Sequence, residues 1–81
     1  MTAIPTTKEA AINALIEQDV AKWGESERAA SMRQHAGRSY GRALNELANR
    51  AELADAPNPA MRRAAKLALT SGEKADLRNG G

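Results

Sequence analysis

The residues with the reach and charge to do chemistry are arginines and asparagines set at helical intervals. Arg28, His35, Arg38 and Arg42 fall in one sector of a helical wheel drawn at about 100° per residue, and Asn45 and Asn49 extend that sector. Guanidinium groups neutralise carboxylate or phosphate, and Arg and Asn also reach base edges. A second basic group, Arg62, Arg63 and Lys66, follows nearer the C-terminus. These nine residues are the candidate partner-binding set, and their chemistry is recognition. Bond making finds less support. His35 is the only histidine and there is no cysteine, so a transition-metal site would rest on one imidazole and carboxylates. Ser26, Ser31 and Ser39 have no activating base in the pattern. Glu25 and Glu27 read as charges at a helix N-terminus, and no like-charged buried pair suggests acid–base work. The expectation is a protein that is not an enzyme and carries no cofactor and no metal.

The formal net charge is +2, unevenly spread. Residues 1–27 hold two lysines against five acids, whereas residues 28–42 hold Arg28, Arg33, Arg38 and Arg42 with no acid. Local potential steers partners more than net charge does, so the arginine block is the natural place for an anionic surface to dock.

Helices must position these groups. Alanine makes up about a fifth of the chain, phenylalanine is absent, and Trp23 and Tyr40 are the sole large aromatics. Alanine favours helix but buries little area. A thin core follows, with Trp23 and Tyr40 expected in it and self-association expected to supply the missing burial. Thr6-Thr7-Lys8-Glu9 has the form of a capping box, and Ile12, Leu15, Ile16, Val20 and Trp23 then recur at threes and fours up to Gly24. A first helix over about 7–23 is the result. A second pattern runs over about 27–54 through Ala29, Met32, Ala36, Tyr40, Ala43 or Leu44, Leu47, Ala51 and Ala54 without a change of phase. It reads as one long helix, or as two helices broken near Gly37; continuity of phase favours the first. Gly37 and Gly41 stand at the G-x-x-x-G spacing, which suits a close helix crossing or marks a kink. Pro57 ends the pattern, and Asn58-Pro59 reads as an N-cap with proline at N1. A third helix over about 59–71 places Met61, Ala64, Ala65, Ala68 and Leu69 inward and Arg62, Arg63 and Lys66 outward. A short fourth turn over 73–78 is anchored by Leu77, and residues 79–81 read as a disordered tail.

The expected fold is therefore all-α: a small three-helix bundle with a long central helix, one domain over residues 1–78. The expected function is that of a small regulatory or inhibitory binding protein acting through protein–protein contacts. Small compact chains of this kind resemble phage or bacterial accessory proteins. An acidic protein partner is favoured over nucleic acid, and a homodimer is expected. The alternatives are a nucleic-acid-binding regulator using the basic face of the central helix, and a structural subunit of a homo-oligomer. A helix-turn-helix spacing is not met. Counted from Ala30 as its small residue, Gln34 falls at the tight turn and Arg33 at the usual apolar position. No apolar run approaches the ~20 residues that span a bilayer, and the N-terminus lacks a signal-peptide pattern. No membrane association and a cytoplasmic location are the expectation.

Overall fold

Five helices account for most of the chain in this computed structural model, which describes residues 4–78. They are α1 (Lys8–Trp23), α2 (Arg28–His35), α3 (Tyr40–Leu53), α4 (Pro59–Ala68) and α5 (Ser71–Arg78), with a 3-10 turn over Glu25–Glu27. No strand occurs among the described residues, and the all-α bundle is as the periodicity predicts. Residues 79–81 and the Leu77 side chain lie outside the described residues.

Local signals set most of the boundaries. Thr7 caps α1, its hydroxyl accepting from the Ala10 N–H at 3.1 Å. The cap is thus one residue later than the Thr6–Glu9 box suggests. Gly24 ends the helix at φ 95°, a conformation that side chains with a Cβ rarely adopt. Asn58 caps α4 by accepting from the Met61 N–H at 3.1 Å, with Pro59 inside the first turn. Leu69 leaves the helix with extended backbone, so α4 ends at Ala68 rather than near Gly72. Thr70 and Glu73 then form a reciprocal capping box. The Thr70 N–H donates to Glu73 Oε1 at 3.0 Å, and the Glu73 N–H donates to Thr70 Oγ1 at 3.2 Å. That box starts α5 ahead of the expected 73–78 turn.

The long central helix is not formed. Residues 36–39 break the expected rod into α2 and α3, the reading that the glycine cost near Gly37 supports. Continuity of apolar phase fails as a guide because two local terms outweigh it. Glycine destabilises a helix interior by about 1 kcal/mol relative to alanine. Ser39 meanwhile leaves helical geometry to cap α3, its Oγ accepting from the Arg42 N–H at 3.2 Å.

The core lies between α1, α3 and α4. Ala11 and Leu15 from α1 meet Ala43, Leu44, Leu47 and Ala48 from α3 and Met61 and Ala65 from α4. The closest approach is at Gly41, where an added Cβ would lie 2.8 Å from the Ala68 carbonyl carbon and the Leu69 nitrogen. The second glycine of the G-x-x-x-G pair thus serves a close crossing, while Gly37 sits in the break with open space around it. Tyr40 packs against this core and its hydroxyl donates to the Pro5 carbonyl at 2.7 Å.

Around α2 the expected burial is inverted. Ala29, Met32 and Ala36, read as the inward stripe, are exposed, and Ser31 and His35 are buried instead. Trp23, expected in the core, is 53% exposed. Once the rod breaks, α2 is free to rotate its polar residues toward α1, and the apolar stripe no longer runs on into α3.

Candidate functional site

The break redistributes the nine predicted residues. Arg38, Arg42, Asn45 and Asn49 come together with Gln34, Gly37 and Glu46 around a polar groove of about 520 Å³, between the end of α2 and the flank of α3. Arg62 stands beside it, donating to the Oδ1 atoms of both Asn45 and Asn49 and gripping Glu52 with two further bonds at 2.8 and 3.2 Å. It is half-buried and clamps α4 to α3, not outward-facing as expected. Arg28, Arg63 and Lys66 remain exposed but lie apart on α2 and α4.

His35 departs furthest from its expected surface position. Its side chain is 0% exposed, and its Nε2–H donates to Asp19 Oδ2 at 3.0 Å. Asp19 is itself buried, and its Oδ1 accepts from Arg50 Nη1 at 2.9 Å. Arg50 Nε reaches Glu46 Oε2 at 3.2 Å, and Glu46 Oε1 lies 3.5 Å from Arg38 Nη1. A continuous polar chain therefore ties α2 to α1, α3 and the 36–39 connection. Burial pushes the Asp19 carboxyl up, but the hydrogen bonds from His35 and Arg50 and the adjacent positive charge outweigh it and hold the group below its ordinary range. Two buried atoms along it, His35 Nδ1 and Arg38 Nε, have no hydrogen-bond partner among the described residues.

The groove's arginines are already engaged by acids. Arg38 faces Glu46, and Arg42 Nε lies 3.3 Å from Glu73 Oε2. Glu73 also accepts a short hydrogen bond from the Ser39 hydroxyl. That bond and the Thr70 N–H bring its carboxyl below the ordinary value against a smaller opposing effect of burial. An anionic ligand entering the groove must compete with these carboxylates. Among the described residues, no cluster of three or more metal-ligating side chains is present.

A second set of exposed groups lies on α1 and α2. Trp23 at the end of α1 is 53% exposed and Met32 on α2 is 51% exposed. Arg28 and Arg33 project from the same helical hairpin with no ion pair among the described residues. The Lys22 ammonium stands 5.1 Å from the Trp23 ring centroid. Sequence reading places Trp23 and Met32 in the core because both sit on apolar stripes. The one available warning is the charge of Asp19 on the α1 stripe, three and four residues from Ile16 and Leu15. A carboxylate there calls for a buried partner, and the helix supplying that partner must turn polar residues inward.

A third feature is an apolar groove of about 650 Å³ floored by Leu47 and Met61 and walled by Ala14, Ala51, Ala54 and Pro57. No helix among the described residues is long and apolar enough to cross a membrane. Compared with models of known protein families, with curated proteins and with solved structures, the chain matches none.

Proposed function

We propose that this chain is a small helical binding protein, regulatory or inhibitory, that acts through protein–protein contacts and meets an acidic partner with the α1–α2 hairpin. The observation that carries this reading is the exposure of Trp23. A chain with two large aromatics and a thin core leaves its sole tryptophan half outside, on the same hairpin as half-exposed Met32 and as Arg28 and Arg33, which have no ion pair among the described residues. Tryptophan and arginine are enriched among the residues that dominate binding energy, and methionine adapts to irregular partner surfaces. Arg28 and Arg33 offer guanidinium groups to carboxylates of an acidic partner, with Glu25 and Glu27 of the adjoining turn confining that contact to α2. Nucleic acid is the weaker alternative, because phosphates in the polar groove would have to displace Glu46 and Glu73 from Arg38 and Arg42.

Affinity capture from the native cell extract tests the reading, comparing the wild-type chain with Trp23→Ala plus Arg33→Glu. The expected result is a partner retained by the wild type and lost by the variant, with the helical circular-dichroism signal unchanged. The retained protein, purified and added back, should also shift Trp23 fluorescence. Identical captured sets would overturn it. Trp23 fluorescence and light scattering that change together with protein concentration alone would identify the occupant as a second copy. Binding to duplex DNA with a steep inverse salt dependence, about −0.9 in log–log slope per phosphate, would replace it with the nucleic-acid reading.

A further inference from the structure

We infer that α2 is a hinged arm, held closed on α1 by one buried side-chain latch between His35 and Asp19, and that it opens as a unit while the α1–α3–α4 core stays folded. This goes beyond the binding reading and does not depend on what binds.

Three observations combine. First, the buried residues of α2 are Ser31 and His35, and no apolar side chain on the helix is buried. The buried apolar side chains that fix α1, α3 and α4 are therefore missing on this helix. Second, the principal packing of α2 is with α1 and the 3-10 turn, not with α3 or α4. Lifting it away leaves the eight-residue apolar cluster of α1, α3 and α4 intact. Third, the helix is bounded by two non-helical joints, Gly24 at φ 95° with the turn that follows it, and residues 36–39. Helices of eight residues are not stable alone, so an undocked α2 melts as it opens.

The latch is conditional by construction. Asp19 is faced by His35 from α2, by Arg50 and Glu46 from α3, by Arg38 through Glu46, and by Gln18 on its own helix through Arg50. Arg50 stays bonded to Asp19 when the arm lifts, so the core keeps its share of the network and α2 alone loses its tie. The buried Nδ1 of His35, which has no hydrogen-bond partner in the closed arm, regains water on opening. In the open state Asp19 is hydrated and more easily protonated, so acid drives the arm open.

Hydrogen exchange on the full-length chain, followed residue by residue, tests this. The expected result is that α2 amides exchange at least about tenfold faster than those of Leu44, Leu47 and Ala48, as local opening requires. His35→Ala should remove a further factor of about 10 to 100 from α2 protection, the worth of a hydrogen bond to a charged group, while α3 changes by less than about threefold. Acidification from neutral pH to about pH 3 should raise the α2-to-α3 exchange ratio in the wild type but not in Asp19→Asn. Equal protection of α2 and α3 in the wild type would overturn the inference. So would an equal fall in both helices on His35→Ala, including outright unfolding of that variant, because α2 would then belong to the core.

Discussion

α3 and α4 bring Leu44, Ala48, Met61 and Ala65 into the shared apolar core, and they close so tightly that Gly41 has no room for a methyl group. Between α1 and α2 the residues that α2 contributes are a serine and a histidine, and Met32 is left half in water. Both are helix pairs joined by short connections in one small chain, yet one is held by apolar area and shape, with the Arg62 clamp at its edge, and the other by a directional polar bond. Apolar packing is insensitive to pH and has no off state short of unfolding. A hydrogen-bonded latch has conditions under which it fails. In one domain, then, permanence and responsiveness are assigned to different pairs.

Several substitutions sharpen or break that contrast. Leu44→Ala strikes the apolar pair at a fully buried site and should cost about 2–5 kcal/mol in a urea titration. In so small a domain that removes much of the total stability. Gly41→Ala comes next, since the added carbon meets Ala68 and Leu69 backbone that cannot rotate aside. The expected loss is about 1–3 kcal/mol despite the better helix propensity of alanine, read as a lower melting temperature. A rise in melting temperature would show that α4 yields and that the pair is looser than its geometry. Ser39→Ala removes the cap of α3 and the hydroxyl bonded to Glu73, for about 0.5–2 kcal/mol.

The pH dependence touches both pairs, through buried Asp19 at α1–α2 and through exposed Glu52, held by Arg62, at α3–α4. With Glu73 on α5, these have folded carboxyls below their ordinary range. The stability they contribute is complete above the unfolded-state values of about 4 and is lost as pH falls through the lower folded-state values. The urea midpoint should therefore drop below about pH 4, and Asp19→Asn should flatten part of that drop. The smallest effect belongs to Trp23→Ala. At a site 53% exposed it should change stability by no more than about 0.5 kcal/mol, checked by thermal melting. A loss of several kcal/mol there would return Trp23 to the core and remove the proposed docking surface.

The stable half of the molecule is the half that sequence reading recovers. Leu15, Leu44, Leu47, Met61 and Ala65 announce themselves through spacing, and Gly24, Asn58 and Pro59 through terminal chemistry, because burial and capping leave local marks. The missed features depend on three-dimensional pairing. Nothing near His35 in the chain indicates Asp19, sixteen residues earlier, so the histidine is assigned to the surface and α2 to the wrong rotation. The arginine ribbon fails for the same reason. Its alignment requires an unbroken helix through Gly37, and Ser39 gains more as a cap than as an interior residue. The Thr70–Glu73 box was legible and decides the start of α5, but the glycine at 72 draws the eye to a stop.

The network through Asp19 also constrains how the chain can change over time. Altering His35 alone leaves the Asp19 carboxylate with Arg50 as its remaining side-chain partner. Altering Asp19 alone leaves an imidazole and a guanidinium without their shared acceptor. Positions 19, 35 and 50 are thus one unit of inheritance spread over three helices, and drift at any of them is expected to be answered at the others.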